Sequence, residues 1–210
     1  MKLYMVPAAP NPTKVLLYLA EREALGTDFG IEHVIVNTLK GKQNEPEHLA
    51  RNPFGALPVL ELDSGDYLIE SLAIIEFLEE QFADNALLAG DVLQRAAARN
   101  LERVVEFRIT NPLGQYVHAV NSPLGLPKNE KLAAQLEESL PVAFGYIESS
   151  LVDGRELLLG DRVSIADCTL QAGLQFARFG KVDVLGDFPN VRAWDERYRA
   201  RAAAQAVLKF

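Results

Sequence analysis

The sequence predicts a mixed α/β domain over residues 1–83 and an all-helical domain over residues 91–210, joined by a linker at 84–90. Short apolar runs alternate with a helical pattern in the first part of the chain, which indicates strands packed around helices. After residue 90 strand patterns largely stop, and long helical patterns follow one another. A chain of 210 residues with 49% hydrophobic residues is long enough to build two such domains, each with an apolar core.

The first domain reads strand, helix, strand along the chain. Lys2 to Val6 is a short apolar run, and the helical pattern through Val15–Leu19 ends near Leu25-Gly26, because glycine commonly follows the last residue of a helix. Ile31 to Val36 is rich in β-branched residues and predicts a second strand. Two strands joined through a helix are typical of a parallel βαβ unit.

A hairpin and a helix complete the predicted first domain. Leu60–Leu62 and Tyr67–Ile69 are apolar runs on either side of Asp63-Ser64-Gly65-Asp66, which is a turn sequence. A helical pattern then runs from Ser71 to about Phe82. A hairpin added to a parallel βαβ unit gives a mixed sheet covered by helices.

Four long helical patterns make up the second domain: Val92 to about Ala119, Asn129 to Leu151, Ser164 to Phe179, and Pro189 to about Val207. Pro141 falls inside the second and should kink or break it, because proline lacks the N–H that a helix interior needs. Ser164 and Asp167 have the spacing of a capping box at the start of the third.

Charge and composition limit the class of protein. The net charge of −8 argues against general binding of nucleic acid, and no apolar stretch approaches the about 20 residues that span a bilayer. The start of the chain has no secretory leader pattern, and one cysteine, Cys168, excludes a disulfide framework. We therefore expect a cytoplasmic protein with no membrane and no nucleic-acid partner.

The residues that most often bind metals or react as nucleophiles give no pattern of either kind. His33, His48 and His118 show no metal-ligand spacing, so no metal site is predicted. Cys168 lies on an apolar helix face and is predicted to be a buried, unreactive side chain.

The first indication of function comes from the segment Asn52-Pro53-Phe54-Gly55-Ala56-Leu57-Pro58-Val59-Leu60. Leu57-Pro58 stands before an apolar strand and is a plausible site for a cis peptide bond, which would turn the backbone of Leu57 outward to pair with a peptide-like ligand. Glu70-Ser71 then opens a helix, and a helix N-terminus offers free N–H groups to a carboxylate. Together the two elements predict a site for a small anionic peptide.

This pattern, NPxGxxPxL followed by Glu-Ser, resembles the glutathione site of the cytosolic glutathione transferase superfamily, and the resemblance extends over residues 1 to about 207. It implies a thioredoxin-like first domain, a helical second domain and a homodimer with its glutathione site near the subunit boundary. By this resemblance, Leu57 before a cis Pro58 pairs with the cysteinyl backbone of glutathione, and Glu70 and Ser71 hold its γ-glutamyl end. The pocket for the second substrate would be bordered by Phe107, Arg108, Asn111 and Tyr116.

The activating group is the part of the site where this chain departs from the better-known branches. Glutathione chemistry needs a thiolate near neutral pH, whereas a free thiol has a pKa of about 8.5. Pro12 suits the first position of a helix, which makes Asn11 the predicted N-cap. In the Ser-type branches the activating serine matches Ala9, so that hydroxyl is absent here. The remaining donors are the Asn11 amide, the Thr13 hydroxyl and backbone N–H groups at the helix start.

A second resemblance, to the nu-type, disulfide-oxidoreductase-like members, is partial. In those members an asparagine matching Asn11 contacts the glutathione sulfur, although they usually have threonine where Ala9 stands. Gly41-Lys42-Gln43, with Pro46-Glu47 downstream, resembles their GxQxxPE pattern. This resemblance implies that Gln43 holds the glycyl end of glutathione while Lys42 adds positive charge.

Three functions stay open at this point. The leading one is a glutathione transferase, in which glutathione is the co-substrate and its thiolate attacks a small hydrophobic electrophile. The second is glutathione-dependent reduction of a disulfide, in which glutathione molecules supply both the nucleophile and the resolving thiol, because no cysteine is nearby. The third is a binding module that kept the fold and lost the activating group.

Overall fold

A four-stranded mixed sheet forms the first part of the molecule, in a computed structural model that describes all 210 residues, Met1–Phe210. β1 (Lys2–Met5) pairs in parallel with β2 (Glu32–Ile35), which confirms the predicted βαβ unit. β3 (Val59–Glu61) pairs antiparallel with β1 and with β4 (Tyr67–Leu68), and the second of these pairings is the predicted hairpin. The strand order is β2-β1-β3-β4. The helices are α1 (Pro10–Ala24), α2 (Pro46–Arg51) and α3 (Ser71–Gln81).

Helix α1 begins earlier than predicted, and this corrects the role given to Asn11. Ala9 is the N-cap, Pro10 is the first helical residue, and the Thr13 N–H donates to the Ala9 carbonyl at 3.0 Å. Asn11 therefore lies in the first turn and caps nothing. The prediction was wrong because Pro10 meets the preference for proline at the first helical position as well as Pro12 does.

The second part of the molecule is mostly helical and has no strand longer than a single bridge, in agreement with the prediction. The predicted single helix from Val92 contains a π-helical turn before Pro112, which has no N–H to donate to the preceding turn. Pro141, by contrast, lies inside a helix that is not broken there. The helices are α4 (Val92–Val105), the π-helical turn (Glu106–Thr110), α5 (Asn111–Asn121), α6 (Glu130–Ser150), α7 (Ile165–Phe179), α8 (Pro189–Arg199) and α9 (Ala202–Val207). The domain limits 1–83 and 91–210, with a linker at 84–90, stay predictions.

Helix α7 is the centre of the core, and all of residues 165–177 are buried. The Asp167 carboxylate accepts hydrogen bonds from the Ser164 N–H at 2.9 Å and from the Trp194 indole N–H at 3.0 Å. It also accepts from the Leu158 N–H and the Ser164 hydroxyl. Burial raises the pKa of Asp167, against the effect of these four donors. The predicted capping box is therefore confirmed. Its carboxylate also links α7 to α8 through the bond from Trp194.

Buried ion pairs connect α1 to the rest of the chain. The Lys14 ammonium lies 2.6 Å from Glu106 and 3.3 Å from Glu102. Burial raises the pKa of Glu102. Burial opposes ionisation of Glu106 too, but the Lys14 ammonium, the hydrogen bond from Glu102 and the Arg103 charge together lower the pKa of its carboxyl. The Arg22 guanidinium lies 2.6 Å from Glu79 and donates to the carbonyls of residues 82 and 84. It therefore holds the start of the predicted linker against α1.

Replacing Arg22 with leucine is expected to lower the free energy of unfolding by about 3–5 kcal/mol, because Glu79 would stay buried without its cationic partner. The matched control is Arg99→Leu, which breaks a pair with Glu76 of 3.7 Å in which both side chains are about half exposed. That change should cost less than about 1 kcal/mol. Urea titration at one protein concentration measures both, and equal costs would contradict the assignment.

Candidate functional site

A cavity of about 280 Å³ lies where the sheet domain meets the helical domain. The sheet side is formed by the end of β1, the first residues of α1 and the loop before β3, and the helical side by the end of α5 and α7. The cavity therefore joins residues that are far apart in the sequence. Its lining residues are Val6, Pro7, Ala9, Pro10, Thr38, Leu39, Gln43, Gly55 and Leu57 on the first side, and His118, Pro123, Leu124, Phe176 and Phe179 on the second.

The predicted peptide-binding loop reaches this cavity. Leu57 is part of the lining, and the Leu57-Pro58 bond is cis, as predicted. Glu70 is the N-cap of α3 and Ser71 its first residue, so both stand at a helix N-terminus as predicted. The Glu70 side chain is exposed and makes no capping hydrogen bond, whereas Ser71 is buried. Neither of these two residues belongs to the cavity lining itself.

Gln43 and Lys42, the residues assigned to the glycyl end, differ in their placement. Gln43 lines the cavity, and its Oε1 atom is buried without a hydrogen-bond partner within the chain. A buried amide oxygen of this kind fits a donor supplied by a ligand or by water. Lys42 is half exposed, and its ammonium pairs with Glu45 at 2.7 Å. Most of its charge is therefore compensated within the loop.

The start of α1 offers few hydrogen-bond donors to a sulfur atom. Pro10 and Pro12 have no N–H, and the Thr13 N–H is used by Ala9. The Thr13 side chain is fully buried, and its hydroxyl oxygen accepts from Gln175 of α7 at 3.3 Å. Thr13 thus faces the core rather than the cavity. Asn11 is left with one backbone N–H and an amide whose Oδ1 is buried and unpartnered, although Asn11 is not in the lining.

His118 is the one titratable side chain in the cavity lining, and the sequence interpretation gave it no role. Its Nδ1 lies 2.8 Å from the Ser122 hydroxyl, and its ring centroid lies 5.2 Å from that of Phe176. Burial lowers the pKa of His118 below its ordinary value. The imidazole is therefore neutral near neutral pH and can accept a proton. The two neighbours of the ring, Ser122 and Phe176, are uncharged and so do not favour the protonated form of His118.

The four residues predicted to border the second-substrate pocket are not brought to this cavity. Phe107 and Arg108 line a separate apolar groove between the π-helical turn and α6, with Val104, Pro112, Ser139, Val142, Ala143 and Tyr146. The Tyr116 hydroxyl donates to Glu137 at 2.7 Å, and this bond, with burial, raises the pKa of Tyr116 to about 12. Asn111 starts α5. A π-helical turn shifts the phase of the residues that follow it, which sequence spacing alone did not reveal.

The remaining candidate side chains take no part in the cavity. Cys168 is fully buried, as predicted, with its sulfur 3.6 Å from the Tyr198 hydroxyl, and burial raises the pKa of this thiol. No three His, Cys, Asp or Glu side chains are grouped in a way that could hold a metal ion. None of the helices combines the length and the apolar character needed to cross a membrane.

Comparisons with known proteins agree over both halves of the chain. Residues 3–86 match the family model of the glutathione S-transferase N-terminal domain, and residues 109–202 match that of the C-terminal domain. Glutathione S-transferase 2 of Saccharomyces cerevisiae is 30% identical over 100% of this chain and 90% of its own length. Glutathione S-transferase 3 of Zea mays is 32% identical over 99% of this chain and 93% of its own length.

An isomerase and a solved structure are each 30% identical to this chain as well. Maleylacetoacetate isomerase of Pseudomonas aeruginosa is 30% identical over 91% of this chain and 88% of its own length. The crystal structure of Gtt2 from Saccharomyces cerevisiae has a TM-score of 0.86 and 30% identity, covering 99% of this chain and 100% of that one. The thioredoxin-like domain followed by a helical domain is the fold of these neighbours, as the sequence predicted. The chain belongs to the glutathione S-transferase family.

Proposed function

We propose that this chain is a glutathione transferase that delivers the thiolate of glutathione to a small, uncharged electrophile. The observation that carries the proposal is the composition of the cavity. One wall presents Leu57 and the unpartnered Gln43 oxygen, and the other presents an imidazole beside two phenylalanine rings. A polar peptide and an apolar second substrate can therefore meet at one point between the two domains.

Glutathione is held in this proposal by groups of the sheet domain. The backbone of Leu57 pairs with the cysteinyl residue, and Gln43 takes the glycyl end, with Lys42 adding a partly compensated positive charge. Glu70 and Ser71 bind the γ-glutamyl end. The N-terminus of α3, an 11-residue helix, favours the γ-glutamyl carboxylate, and the Glu70 carboxylate can accept from the γ-glutamyl ammonium.

His118 takes the thiol proton in this proposal. Ala9 provides no hydroxyl and Thr13 is used by α7, so the start of α1 supplies no free hydroxyl, only the Asn11 amide and backbone N–H groups. The His118 imidazole is neutral and lines the cavity on the opposite side. It can accept the thiol proton as the sulfur attacks the electrophile, while Asn11 assists as a donor to the thiolate. The Ser122 hydroxyl orients the ring through Nδ1.

The second substrate in this proposal is uncharged and apolar. Phe176, Phe179 and Leu124 form its side of the cavity, and no lysine or arginine lines that space. Cationic side chains are the usual partners of a substrate carboxylate. Conjugation of an apolar electrophile, with a role in detoxification, is therefore favoured over an isomerase reaction on a dicarboxylate such as maleylacetoacetate. Reduction of a disulfide by glutathione stays the alternative that the activity test must separate.

We further propose that the chain forms a homodimer. Phe54 is 78% exposed, and Val142 and Tyr146 are exposed on the separate groove beside α6. Across a two-fold axis, the exposed ring of each subunit can pack into the apolar groove of the other subunit. Phe54 precedes Leu57 in the same loop, so this contact would place the glutathione site near the subunit boundary. The cytoplasm, as a reducing compartment, stays the predicted location.

The first prediction from this site is that glutathione affinity depends on Ser71 and Glu70. Ser71→Ala and Glu70→Gln are each expected to weaken binding by about 1.5–3 kcal/mol, because each removes a charge-assisted hydrogen bond. Calorimetric titration of glutathione measures the effect, and Ser149→Ala, at an exposed position on α6, is the control. Unchanged affinity in both variants would remove these residues from the site.

The second prediction concerns His118 and tests the function itself. Replacing His118 with alanine is expected to lower kcat about 10²-fold near neutral pH while glutathione affinity is kept, since a general base is lost. In the parent, turnover should fall only when the pH falls below the lowered pKa of His118. In the variant it should already fall below about pH 8.5, where a free thiol is protonated.

The measurement is a pH profile of turnover with thiolate absorbance of bound glutathione, for the parent, His118→Ala, Asn11→Ala and the exposed control His33→Ala. The electrophiles are an aryl halide, an isothiocyanate, a peroxide and a mixed disulfide. Turnover of the mixed disulfide, with no turnover of the other three substrates, would support glutathione-dependent disulfide reduction. Bound glutathione with an unshifted thiol pKa and no turnover would leave a binding module. If only Asn11→Ala loses turnover and the lowered thiol pKa, the activating role belongs to Asn11 and not to His118.

The third prediction is that the protein sediments at twice 23.2 kDa at micromolar concentration. Phe54→Ser is expected to shift the equilibrium to the monomer, because it removes the exposed ring. Val152→Ser changes a side chain of equal exposure, 78%, outside the loop and the groove, and should leave the dimer intact. A parent protein that sediments only as a monomer would contradict the proposal.

A further inference from the structure

His48 is a buried histidine of α2 that the chemistry proposed above does not use. It is 2% exposed, and its Nε2 lies 3.1 Å from the carbonyl oxygen of Ala56. A carbonyl oxygen can only accept, so Nε2 carries the proton and donates it to Ala56. Nδ1 is buried without a partner within the chain. The Ala56 bond is thus the one hydrogen bond that the ring makes.

The Ala56 carbonyl is held from two sides. The Asn52 side-chain amide also donates to it at 3.0 Å, and Asn52 is almost completely buried. The Asn52 Oδ1 in turn accepts from the Phe54 N–H at 3.1 Å, which closes the turn. Two donors from buried side chains on one carbonyl oxygen leave the peptide that carries it little freedom to rotate.

That peptide is the one that ends at Leu57. The only cis bond of the chain is Leu57-Pro58, so the Ala56-Leu57 peptide is trans. In a planar trans peptide the carbonyl and the N–H point in opposite directions. Since His48 and Asn52 hold the Ala56 oxygen on the side of α2, the N–H of Leu57 is directed away from α2. Leu57 itself lines the cavity.

The same loop also packs closely against residues 43–44. Gly55 has a φ of +61°, and a Cβ at this position would lie 3.1 Å from the Asn44 side-chain oxygen and 3.2 Å from the Gln43 carbonyl. The loop between Asn52 and Leu57 is therefore fixed at its base by α2 and along its length by residues 43–44. These contacts fix the orientation of the loop within the chain itself.

We infer that His48 is a positioning residue, which sets the direction of the Leu57 backbone by holding the Ala56 carbonyl. The inference rests on the proposed function, because it assigns to Leu57 the pairing with glutathione. His48 does not reach the cavity and touches no substrate. Its effect is on the affinity for glutathione, and it leaves the affinity for the electrophile and the rate at saturation unchanged.

The experiment compares His48→Leu, which removes the donor, with His48→Gln, whose amide can donate to the same oxygen. His48→Leu is expected to raise the Kd and the KM for glutathione by about five- to tenfold, the range of one lost hydrogen bond. The KM for the electrophile, and kcat at saturating glutathione, should stay within about twofold. His48→Gln should restore most of the affinity, and His33→Leu, at an exposed position on β2, should change nothing.

A second readout needs no ligand. The amide ¹H–¹⁵N resonance of Leu57 should shift in ligand-free His48→Leu and stay near its parent position in His48→Gln. If His48→Leu does not fold, Asn52→Asp replaces it, because this change removes the other donor to Ala56 and keeps the acceptor for Phe54. Circular dichroism and a urea midpoint establish folding for each variant.

The outcomes separate the two proposals. A parent that binds glutathione, with folded variants of equal glutathione affinity and an unshifted Leu57 resonance, would overturn the role of His48. A lower kcat and a higher KM for the electrophile, each changed as much as the KM for glutathione, would also overturn it, because they indicate general disruption of the site. A parent that binds no glutathione would contradict the proposed function, while the Leu57 resonance still reports whether His48 sets that peptide.

Discussion

The burial of three charged side chains on α1 is the constraint on which the rest of the structure depends. Lys14, Glu21 and Arg22 are each no more than 2% exposed. A buried charge without a partner costs several kcal/mol, so each must meet its counterpart when the chain folds. The counterparts lie in different parts of the molecule: Glu102 and Glu106 for Lys14, Arg201 for Glu21, and Glu79 for Arg22. One helix thereby fixes the positions of α3, α4 and the segment before α9.

This arrangement decides where the cavity forms. The N-terminus of α1 faces the end of α5 and the phenylalanines of α7 across the cavity, in the orientation that the ion pairs of the same helix stabilise. Ala9 and Pro10 then stand across the cavity from His118. The split between α8 and α9 has the same origin. Arg201 leaves the helical conformation, and its guanidinium makes two hydrogen bonds, of 2.9 and 2.8 Å, to Glu21.

Local chemistry made much of the fold predictable from the sequence. The hairpin, the capping box of Ser164 and Asp167 and the Leu57-Pro58 segment each depend on neighbours within a few residues, and all three were found as expected. The start of α1 was misplaced because Pro10 and Pro12 satisfy the same local rule, and only the Thr13 hydrogen bond to Ala9 decides between them. Helix α2 was missed, since six residues are too few for a helical pattern.

The helical side of the cavity could not be read from the sequence. His118 gains its surroundings from Phe176, which is distant in the chain, and no local pattern joins the two. Phe107 and Arg108 belong to the π-helical turn itself, and they face the groove beside α6 and not the cavity that His118 of α5 lines. Packing between distant helices therefore selects which residues of a predicted helix reach the site.

In the proposed function the two domains supply different groups, and the composition of the start of α1 is the reason. That segment has two prolines without an N–H, an alanine without a hydroxyl and a threonine whose side chain is used by α7. The sheet domain can hold a peptide but has little with which to lower the pKa of its thiol. The titratable group and the apolar wall come from the helical domain. In the proposed function, binding of glutathione therefore depends on the sheet domain, whereas activation of its thiol needs groups from both domains. The Lys14 ion pairs join α1 to α4 and the π-helical turn, so under the proposed function they matter for activation of the thiol more than for binding of glutathione.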